Sequence, residues 1–319
     1  MTSEHDHPSN AVPASRQPNT SETPDAAPNG SPLGVHDDDE GARLLAELGV
    51  SEGPRPDIAV DAAPDNTDDE AHITPARFVR YALGRHDRTL EASLLPETLI
   101  ATFQRAVFTD LVAATSASQP PQVPEDVARV MQGAVGERQV ALVRLGIGAP
   151  ATVTVLEELI ALGVKRIIVI GTGGSLQRSL PIGSLTIATG AIREDGTSFH
   201  YAPAGVEVAP DAALSRALGE AVVALGSQVA FGPMWTTDAP YRELQSKVAV
   251  YSAMGALAVE MEAAALFALA SFRQVQAALL LAISDELFHE WRPGFHAEEL
   301  RLAQRIATQA ALSVATADA

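Results

Sequence analysis

The sequence predicts an α/β domain built around a largely parallel sheet, and three observations lead to that prediction. Apolar runs without polar alternation recur along the chain, as expected of strands that are buried on both faces. Amphipathic helical segments separate these runs, which is the order typical of parallel strands covered by helices. Glycine loops follow several of the runs, at the edge of the sheet where such folds bind their ligands.

The first 70 residues differ in composition from the remainder. Residues 1–72 hold 16 acidic residues and 3 arginines, a net charge of −13, whereas the rest holds 24 acidic and 19 basic residues, a net charge of −5. The first segment is also rich in Pro, Ala and Asp, so it buries too little apolar surface to offset the entropy of ordering. We therefore expect a disordered acidic tail over 1–70 and a folded domain over 71–319. A short docking helix over 41–50 is the alternative to a plain spacer.

The elements of the folded part follow in chain order. Residues 72–84 and 97–115 predict an entry segment and a strand or helix pair, and a Pro-rich hinge follows at 119–126. Continuous apolar runs then predict strands over 139–148, 165–174, 183–192, 227–232 and 275–286. Amphipathic or small-residue runs predict helices over 152–163, 259–272 and 296–314.

Composition and spacing disfavour several classes of function. No stretch of 18 uncharged apolar residues occurs, so we expect no membrane span. The chain has no cysteine, which excludes disulfides and cysteine nucleophiles and fits a cytoplasmic location. No basic patch suggests nucleic acid as a partner. The histidines His200, His289 and His296 lack the spacing of metal ligands, so no metal site is predicted.

Two glycine loops could hold an anion on their backbone amides. GTGGS at 171–175 and LGIGAP at 145–150 each follow a predicted strand. The first is not a dinucleotide fingerprint, because Leu176 stands where the third glycine is needed. It is not a P-loop either, since no Gly-Lys-Ser/Thr follows. Taken alone, such a loop is more often a tight turn than a ligand site.

Two further segments carry candidate side chains. Asp285 ends a predicted buried strand and is well placed for general acid work, with a helix cap as the equal alternative. Trp235 and Tyr241 lie in WTTDAPYRE and offer flat surfaces against which a base could stack. Aromatic residues buried beneath a loop are the equal alternative for that pair.

The stretch VEMEAAALFALA at 259–270 places Glu260 and Glu262 on either side of Met261 in an otherwise apolar run. A carboxylate at the start of a helix gains only about 0.3–1 kcal/mol from the helix dipole. An unpaired buried charge costs several kcal/mol, so both carboxylates require partners.

Taken together, these segments resemble the nucleoside phosphorylase family, which includes uridine phosphorylase, hexameric purine nucleoside phosphorylase and the methylthioadenosine-type nucleosidases. The resemblance covers about residues 139–315 and depends on five segments in order: GIGAP, ALGVKRIIVIGTGGSLQ, IREDGTSFHYAP, AVEMEAAALF and AISDE. It implies a single three-layer α/β/α domain with a twisted mixed, largely parallel sheet. It also implies an enzyme that cleaves the N-glycosidic bond of a nucleoside with phosphate as co-substrate and no cofactor, as a homo-oligomer (dimer or hexamer).

The resemblance further implies a role for each matching residue. It puts Glu262 and Met261, with Glu260 beside them, on the ribose, whose vicinal diol supplies two donors to a carboxylate. Asp285 matches the residue that protonates or hydrogen-bonds purine N7, which favours a purine. The amino-acid sequence around REDGTSFHYAP, in contrast, is closer to that of uridine phosphorylases. The remaining positions are Gly173, Gly174, Val259, Ser284, Tyr241 and Trp235 for the base, and Thr172, Gly148 and Arg144 for phosphate or water.

The chain departs from the phosphorylase pattern where phosphate would bind. Val169 stands in place of the family's arginine before the glycine turn, and the early G-D-P-x-R loop is absent, with Arg105 as the single arginine in the equivalent stretch. Arg144, directly before LGIG, is a candidate substitute. Phosphorolysis is therefore the first expectation, hydrolysis by a nucleosidase the second, and a non-catalytic nucleoside-binding protein the third.

Overall fold

The computed structural model describes residues 71–316. The acidic tail predicted for residues 1–70 lies outside the described residues and stays a prediction. Within 71–316, no helix combines the length and the hydropathy that crossing a membrane requires.

Helices and strands alternate through most of the described part. The helices are α1 (Pro75–Gly84), α2 (Arg105–Thr115), α3 (Ala149–Ala161), α4 (Ala212–Ala224), α5 (Gln245–Ala253), α6 (Ala263–Arg273) and α7 (Glu298–Thr316). The strands are β1 (Thr98–Thr102), β2 (Val130–Val135), β3 (Arg138–Arg144), β4 (Arg166–Ser175), β5 (Leu185–Glu194), β6 (Val229–Thr237), β7 (Ala258–Glu260), β8 (Gln276–Glu286) and β9 (Arg292–Pro293). Short 3₁₀ turns cover Glu91–Ser93, Thr197–His200 and Pro240–Arg242.

The strands form one mixed nine-stranded sheet in the order β2-β3-β1-β4-β7-β6-β5-β8-β9. Parallel ladders join β1 to β3 and β4, β4 to β8, β5 to β6, and β6 to β7. Antiparallel ladders join the pairs β2–β3, β4–β7, β5–β8 and β8–β9. Because β4 also pairs with β8, the strands β4, β7, β6, β5 and β8 close into a ring. The predicted mixed, largely parallel sheet is confirmed.

Helices cover both faces of the sheet, which gives the predicted three layers. Helices α1, α3 and α6 share one core with strand residues such as Leu99 and Ile167. Helices α2, α4 and α7 share the other core with Ile100 and Ile168, the next residues along the same strands. Successive residues therefore point into opposite cores, which is why these strands read as continuous apolar runs.

Two segments differ from the sequence prediction. The helix expected over 259–272 begins only at Ala263, because residues 258–260 form the short strand β7 between β4 and β6. The strand expected over 227–232 continues as β6 to Thr237, so that Trp235 belongs to the sheet rather than to a loop. A three-residue strand is too short for its periodicity to be visible in the sequence. Strand β2 and helices α4 and α5 were also not predicted.

The carboxyl ends of β1, β3, β4 and β8 meet at one edge of the sheet. There β3 runs through the loop 145–148 into α3, and β1 runs directly into α2. Strand β4 ends in its glycine segment, where the pairing with β8 shifts register between Gly173 and Gly174. A bulge of this kind bends the strand and redirects the side chains at its end. This edge is where most of the predicted site residues lie.

Candidate active site

Glu262 lies at the start of α6, where it is the N-cap residue of that helix. Its side chain is 7% exposed, and its Oε1 accepts a hydrogen bond of 2.6 Å from the backbone N–H of Gly148. Gly148 has φ of +100° and precedes the first residue of α3, so the GIGAP loop presents its amide to the carboxyl. A carboxylate has about four acceptor positions, so Glu262 retains capacity for further donors.

Glu260 has its carboxyl committed to the protein. Its Oε2 accepts hydrogen bonds of 2.7 Å from the backbone N–H groups of both Glu262 and Ala263, and its Oε1 accepts from the Thr236 hydroxyl. Thr236 Oγ1 in turn accepts from the N–H of Ala264 at 3.0 Å. The prediction that Glu260 binds ribose is therefore corrected: its carboxylate satisfies the first turn of α6 and holds Glu262 in place.

The two neighbouring carboxyls have shifted pKa values. Burial raises the pKa of Glu260, while its donors from Thr236, Glu262 and Ala263 oppose that shift. Burial, and then the nearby charge of Glu260, raise the pKa of Glu262 to about 8, with the Gly148 amide opposing. Glu260 has the larger number of donors, and these favour its ionised form more than the single Gly148 amide favours that of Glu262.

Gly173 and Gly174 of β4 pack closely against Val259 and the end of β8, and we call this region the slot. A Cβ atom on Gly174 would come within 3.2 Å of Asp285 Oδ2 and 3.3 Å of Val259 Cγ1, and would clash with Leu287. A Cβ on Gly173 would lie 2.8 Å from the Val259 carbonyl oxygen. The structure therefore brings together Gly173, Gly174, Val259 and Asp285, as the sequence predicted, and the close packing leaves room only for glycine at positions 173 and 174.

Asp285 is 9% exposed and accepts two hydrogen bonds, one on each carboxylate oxygen. Ser284 Oγ donates to Oδ1 at 2.7 Å, so the hydroxyl of Ser284 is bound to the carboxyl of Asp285. Trp291 Nε1 donates to Oδ2 at 2.9 Å, although the Trp291 ring is 62% exposed. Trp291 was not predicted, because it follows the strand in a segment without a pattern. These donors hold Asp285 in a fixed orientation at the slot.

Glu243 is a second carboxyl at the slot that the sequence did not indicate. It is half-buried, and its side chain makes no hydrogen bond or ion pair with any residue in the described range. Burial, and then the charge of Asp285, raise the pKa of Glu243 to about 7. Glu243 is the last residue of WTTDAPYRE, a segment in which the predicted candidates were Trp235 and Tyr241.

The two aromatic residues of that segment do not line the slot. Trp235 is fully buried, donates from Nε1 to Glu194 Oε2 at 2.6 Å, and packs against Tyr251 with ring centroids 4.7 Å apart. Tyr241 is 99% exposed on the 3₁₀ turn Pro240–Arg242. Their predicted base-binding roles are corrected: Trp235 is a core residue of β6, and Tyr241 faces away from the chain.

The residues predicted for phosphate or water are only partly brought together. Thr172 Oγ1 accepts a hydrogen bond of 3.2 Å from Gln104 Nε2, at the start of α2. Arg144 and Arg105 are exposed, and neither side chain pairs with another residue of the described part. Arg144 lines a separate cavity of about 420 Å³ with acidic neighbours that include Asp126 and Glu158. Its predicted contact with phosphate has no support in this geometry.

The arrangement can hold a polar ligand with a defined pattern of groups. Glu262 accepts from hydroxyl or N–H donors, and Met261 lies half-buried at the turn before it. Asp285 and Glu243 offer two carboxyls that accept hydrogen bonds or, when protonated, donate them. Thr172 and the neighbouring backbone amides offer neutral hydrogen-bonding groups near the end of β4.

The sequence of the chain is similar to that of a known protein family. A family model described as the phosphorylase superfamily matches residues 106–317. This match begins well before residue 139, where the sequence resemblance began, so it also covers α2, β2 and the Pro-rich segment.

Individual relatives are uridine and purine enzymes. The chain is 38% identical over 166 residues to a uridine phosphorylase of Treponema pallidum (strain Nichols), covering 48% of this chain and 64% of that protein. It is 34% identical over 142 residues to a guanosine phosphorylase of Halorubrum lacusprofundi, covering 44% of this chain and 59% of that protein. The chain thus spans about three fifths of the length of these curated relatives.

Solved structures share the fold. Uridine phosphorylase from Vibrio fischeri ES114 superposes with a TM-score of 0.60 at 22% identity, covering 69% of this chain and 90% of that one. Purine nucleoside phosphorylase from Toxoplasma gondii, in complex with immucillin-H, gives 0.63 at 22% identity, covering 71% and 92%.

The raised pKa of Glu262 predicts a loss of stability with rising pH. The folded-state pKa of about 8 exceeds the ordinary value of 4.5, so the contribution of this group is complete at low pH and declines as pH rises toward and through 8. Urea unfolding of the chain should therefore show a midpoint that falls between pH 5 and 9. Glu262→Gln, which has no proton to lose, should make that decline shallower, and the remaining decline comes from Glu260 and Glu243, whose pKa values are raised to about 7.

The surface variant Glu220→Gln is the matched control and should keep the wild-type slope, because Glu220 is exposed. Parallel pH curves for wild type and Glu262→Gln would show that Glu262 is ionised in the folded protein at neutral pH.

Proposed function

The chain belongs to the phosphorylase superfamily, and from that membership we propose that it is a nucleoside phosphorylase. It cleaves the N-glycosidic bond of a ribonucleoside with phosphate and releases the free base and ribose 1-phosphate. The observation that supports this most directly is Glu262, a buried carboxyl that the Gly148 amide holds at 2.6 Å and that keeps acceptor capacity at the open edge of the sheet. A ribose 2′,3′-diol supplies the two donors that this carboxyl can accept.

The proposed reaction passes through a transition state with positive charge on the sugar and negative charge on the departing base. Glu262 holds the ribose, with Met261 packed beside it, and its carboxyl becomes ionised as the diol donates. Asp285, which lies beside Gly173, Gly174 and Val259, must be protonated for this step: it gives its proton to the departing base, which neutralises the charge that develops there and leaves Asp285 as the carboxylate. Binding that is stronger in this state than with the intact nucleoside accelerates the cleavage.

We propose a purine as the base. Purine N7 accepts a proton from an acid beside it, which is the position that Asp285 would occupy. Uracil presents two carbonyl oxygens, and these would meet carboxyls at both Asp285 and Glu243 without a fixed donor. The relatives include both uridine and guanosine phosphorylases, so their names do not decide the choice.

Hydrolysis by water is the second candidate function. Two observations support it: Val169, which stands in place of the family's arginine before the glycine turn, is buried in the core, and Arg144 lines another cavity. Phosphate then depends on Thr172, on backbone amides and on groups from outside the chain. We propose a homo-oligomer in the cytoplasm, with nucleoside and phosphate as its small-molecule partners and no cofactor.

A nucleoside panel tests the proposed function. Inosine, guanosine, adenosine and uridine are each incubated with the full chain, with and without phosphate, and free base and ribose 1-phosphate are measured. We expect purine release that requires phosphate and an equal amount of ribose 1-phosphate. Equal release without phosphate, with free ribose as product, would replace phosphorolysis by hydrolysis. Absence of any release would favour a nucleoside-binding protein.

Glu262→Gln should fold normally and lose most of its activity. The amide offers one acceptor oxygen where the carboxylate offers two, so one charge-assisted hydrogen bond to the diol is lost. The expected fall in kcat/KM for the preferred ribonucleoside is about tens- to several-hundred-fold, equivalent to about 2–4 kcal/mol. The 2′-deoxyribonucleoside serves as the internal control and should lose less, because it lacks one of the donors. Near-full activity on the ribonucleoside would show that Glu262 does not bind the sugar.

Asp285→Asn should depress kcat for an ordinary purine nucleoside by about 10²–10⁴, the usual range for a general acid. A 7-methylated purine nucleoside already carries the positive charge that protonation would provide, so the variant should lose much less with it. The measurement is kcat for inosine and for 7-methylinosine in both proteins. Equal losses on the two substrates would make Asp285 a positioning residue instead.

A further inference from the structure

Gln104 connects two threonines at the sheet edge. It is the N-cap residue of α2, and its side chain reaches Thr102 at the end of β1 and Thr172 near the end of β4. Thr102 Oγ1 donates to Gln104 Oε1 at 3.1 Å, and Gln104 Nε2 donates to Thr172 Oγ1 at 3.2 Å. Thr102 is fully buried, whereas Thr172 is only partly buried and borders the open edge.

We call these two hydrogen bonds, from Thr102 to Gln104 and from Gln104 to Thr172, the relay. A third contact sets the direction in which they run. The backbone N–H of Gln104 points at Thr102 Oγ1, 3.4 Å away, and uses that oxygen as an acceptor. The Thr102 hydrogen is therefore available for the carbonyl oxygen of the Gln104 side chain, which leaves the NH₂ group on the side of Thr172. Because Thr172 Oγ1 accepts from that NH₂ group, its own hydrogen is free to point outward.

A hydroxyl that points its hydrogen outward favours a nucleophile that accepts hydrogen bonds. It donates to an oxyanion such as phosphate, which is rich in acceptors. A water molecule about to attack must instead give up a proton to an acceptor, and the hydrogen bonds made by Thr172 in the described structure include no carboxylate. The geometry points to Gln104 as a positioning residue that orients the Thr172 hydroxyl as a donor to a phosphate nucleophile. This inference builds on the proposed phosphorylase function and concerns how the Thr172 hydroxyl contributes to phosphate binding.

Gln104→Glu is the variant that reverses the relay. The carboxylate has nearly the same shape but only accepts, so it takes the hydrogens of both Thr102 and Thr172, and the Thr172 lone pairs then face the nucleophile. We expect KM for phosphate to rise about tenfold or more, the loss typical of one hydrogen bond to a charged group. KM for the nucleoside should stay within about twofold. Gln104→Met, which lacks hydrogen-bonding groups, should raise KM for phosphate in the same direction by less.

Two controls separate orientation from charge and from folding. Gln139→Glu adds the same charge at an exposed position near the opposite end of β3 and should leave both KM values unchanged. In a Thr172→Val background the effect of Gln104→Glu on phosphate should largely disappear, because no hydroxyl remains to be turned. An effect of full size in that background would assign it to charge repulsion and overturn the inference.

The failure of this inference is distinct from that of the proposed function. If the wild type requires phosphate but Gln104→Glu and Gln104→Met keep its KM for phosphate, the relay is structural and the inference is wrong, while phosphorolysis stands. A parallel rise in both KM values would also overturn it. If the wild type cleaves nucleosides equally without phosphate, the proposed function itself fails.

Discussion

The buried first turn of α6 is the constraint on which the rest of the site depends. All residues from Ala263 to Ala270 are buried, so water does not reach the N–H groups at the start of this helix. An unpartnered buried N–H costs about 1–3 kcal/mol, and a helix begins with several. Glu260 and Thr236 supply the acceptors from strands β7 and β6. Helix and strands are thus joined by one polar network, and the position of Glu262 follows from it.

This network explains why two carboxylates occur in an apolar run. They divide two tasks: Glu260 is satisfied entirely within the protein, whereas Glu262 is satisfied by one amide and retains acceptor capacity. The charge of Glu260 adds to burial in raising the pKa of Glu262. Under the proposed function, donors from a ribose diol would oppose that shift, because they stabilise the ionised form. Binding of the nucleoside at Glu262 would then release a proton.

The sequence predicted the fold well because the pattern of α/β domains is repetitive. Long apolar runs can be recognised without knowledge of their partners, and the carboxyl ends of the parallel strands β4 and β8 place Gly174 and Asp285 in one region. What it missed depends on contacts between distant segments. The short strand β7 exists only because β4 and β6 flank it, and Trp235 is buried because β6 extends further than its apolar run. Glu243 and Gln104 can be recognised as candidate site residues only from their interactions with Asp285 and Thr172, which lie more than 40 residues away in the chain.

The polar groups of the site differ in how completely the protein satisfies them. Those beneath the sheet edge, Glu260 and Thr102, have all their partners within the chain and fix the geometry. Those at the edge, Glu262, Glu243 and the Thr172 hydroxyl, are left with unused hydrogen-bonding capacity in partly dry surroundings, which costs stability. Under the proposed function, a ligand that supplies a diol, a planar base and an oxyanion to these positions would relieve that cost at all of them together. Selectivity then comes from the ligand's pattern of donors and acceptors, since a molecule lacking one of these groups leaves a half-buried polar group without a partner.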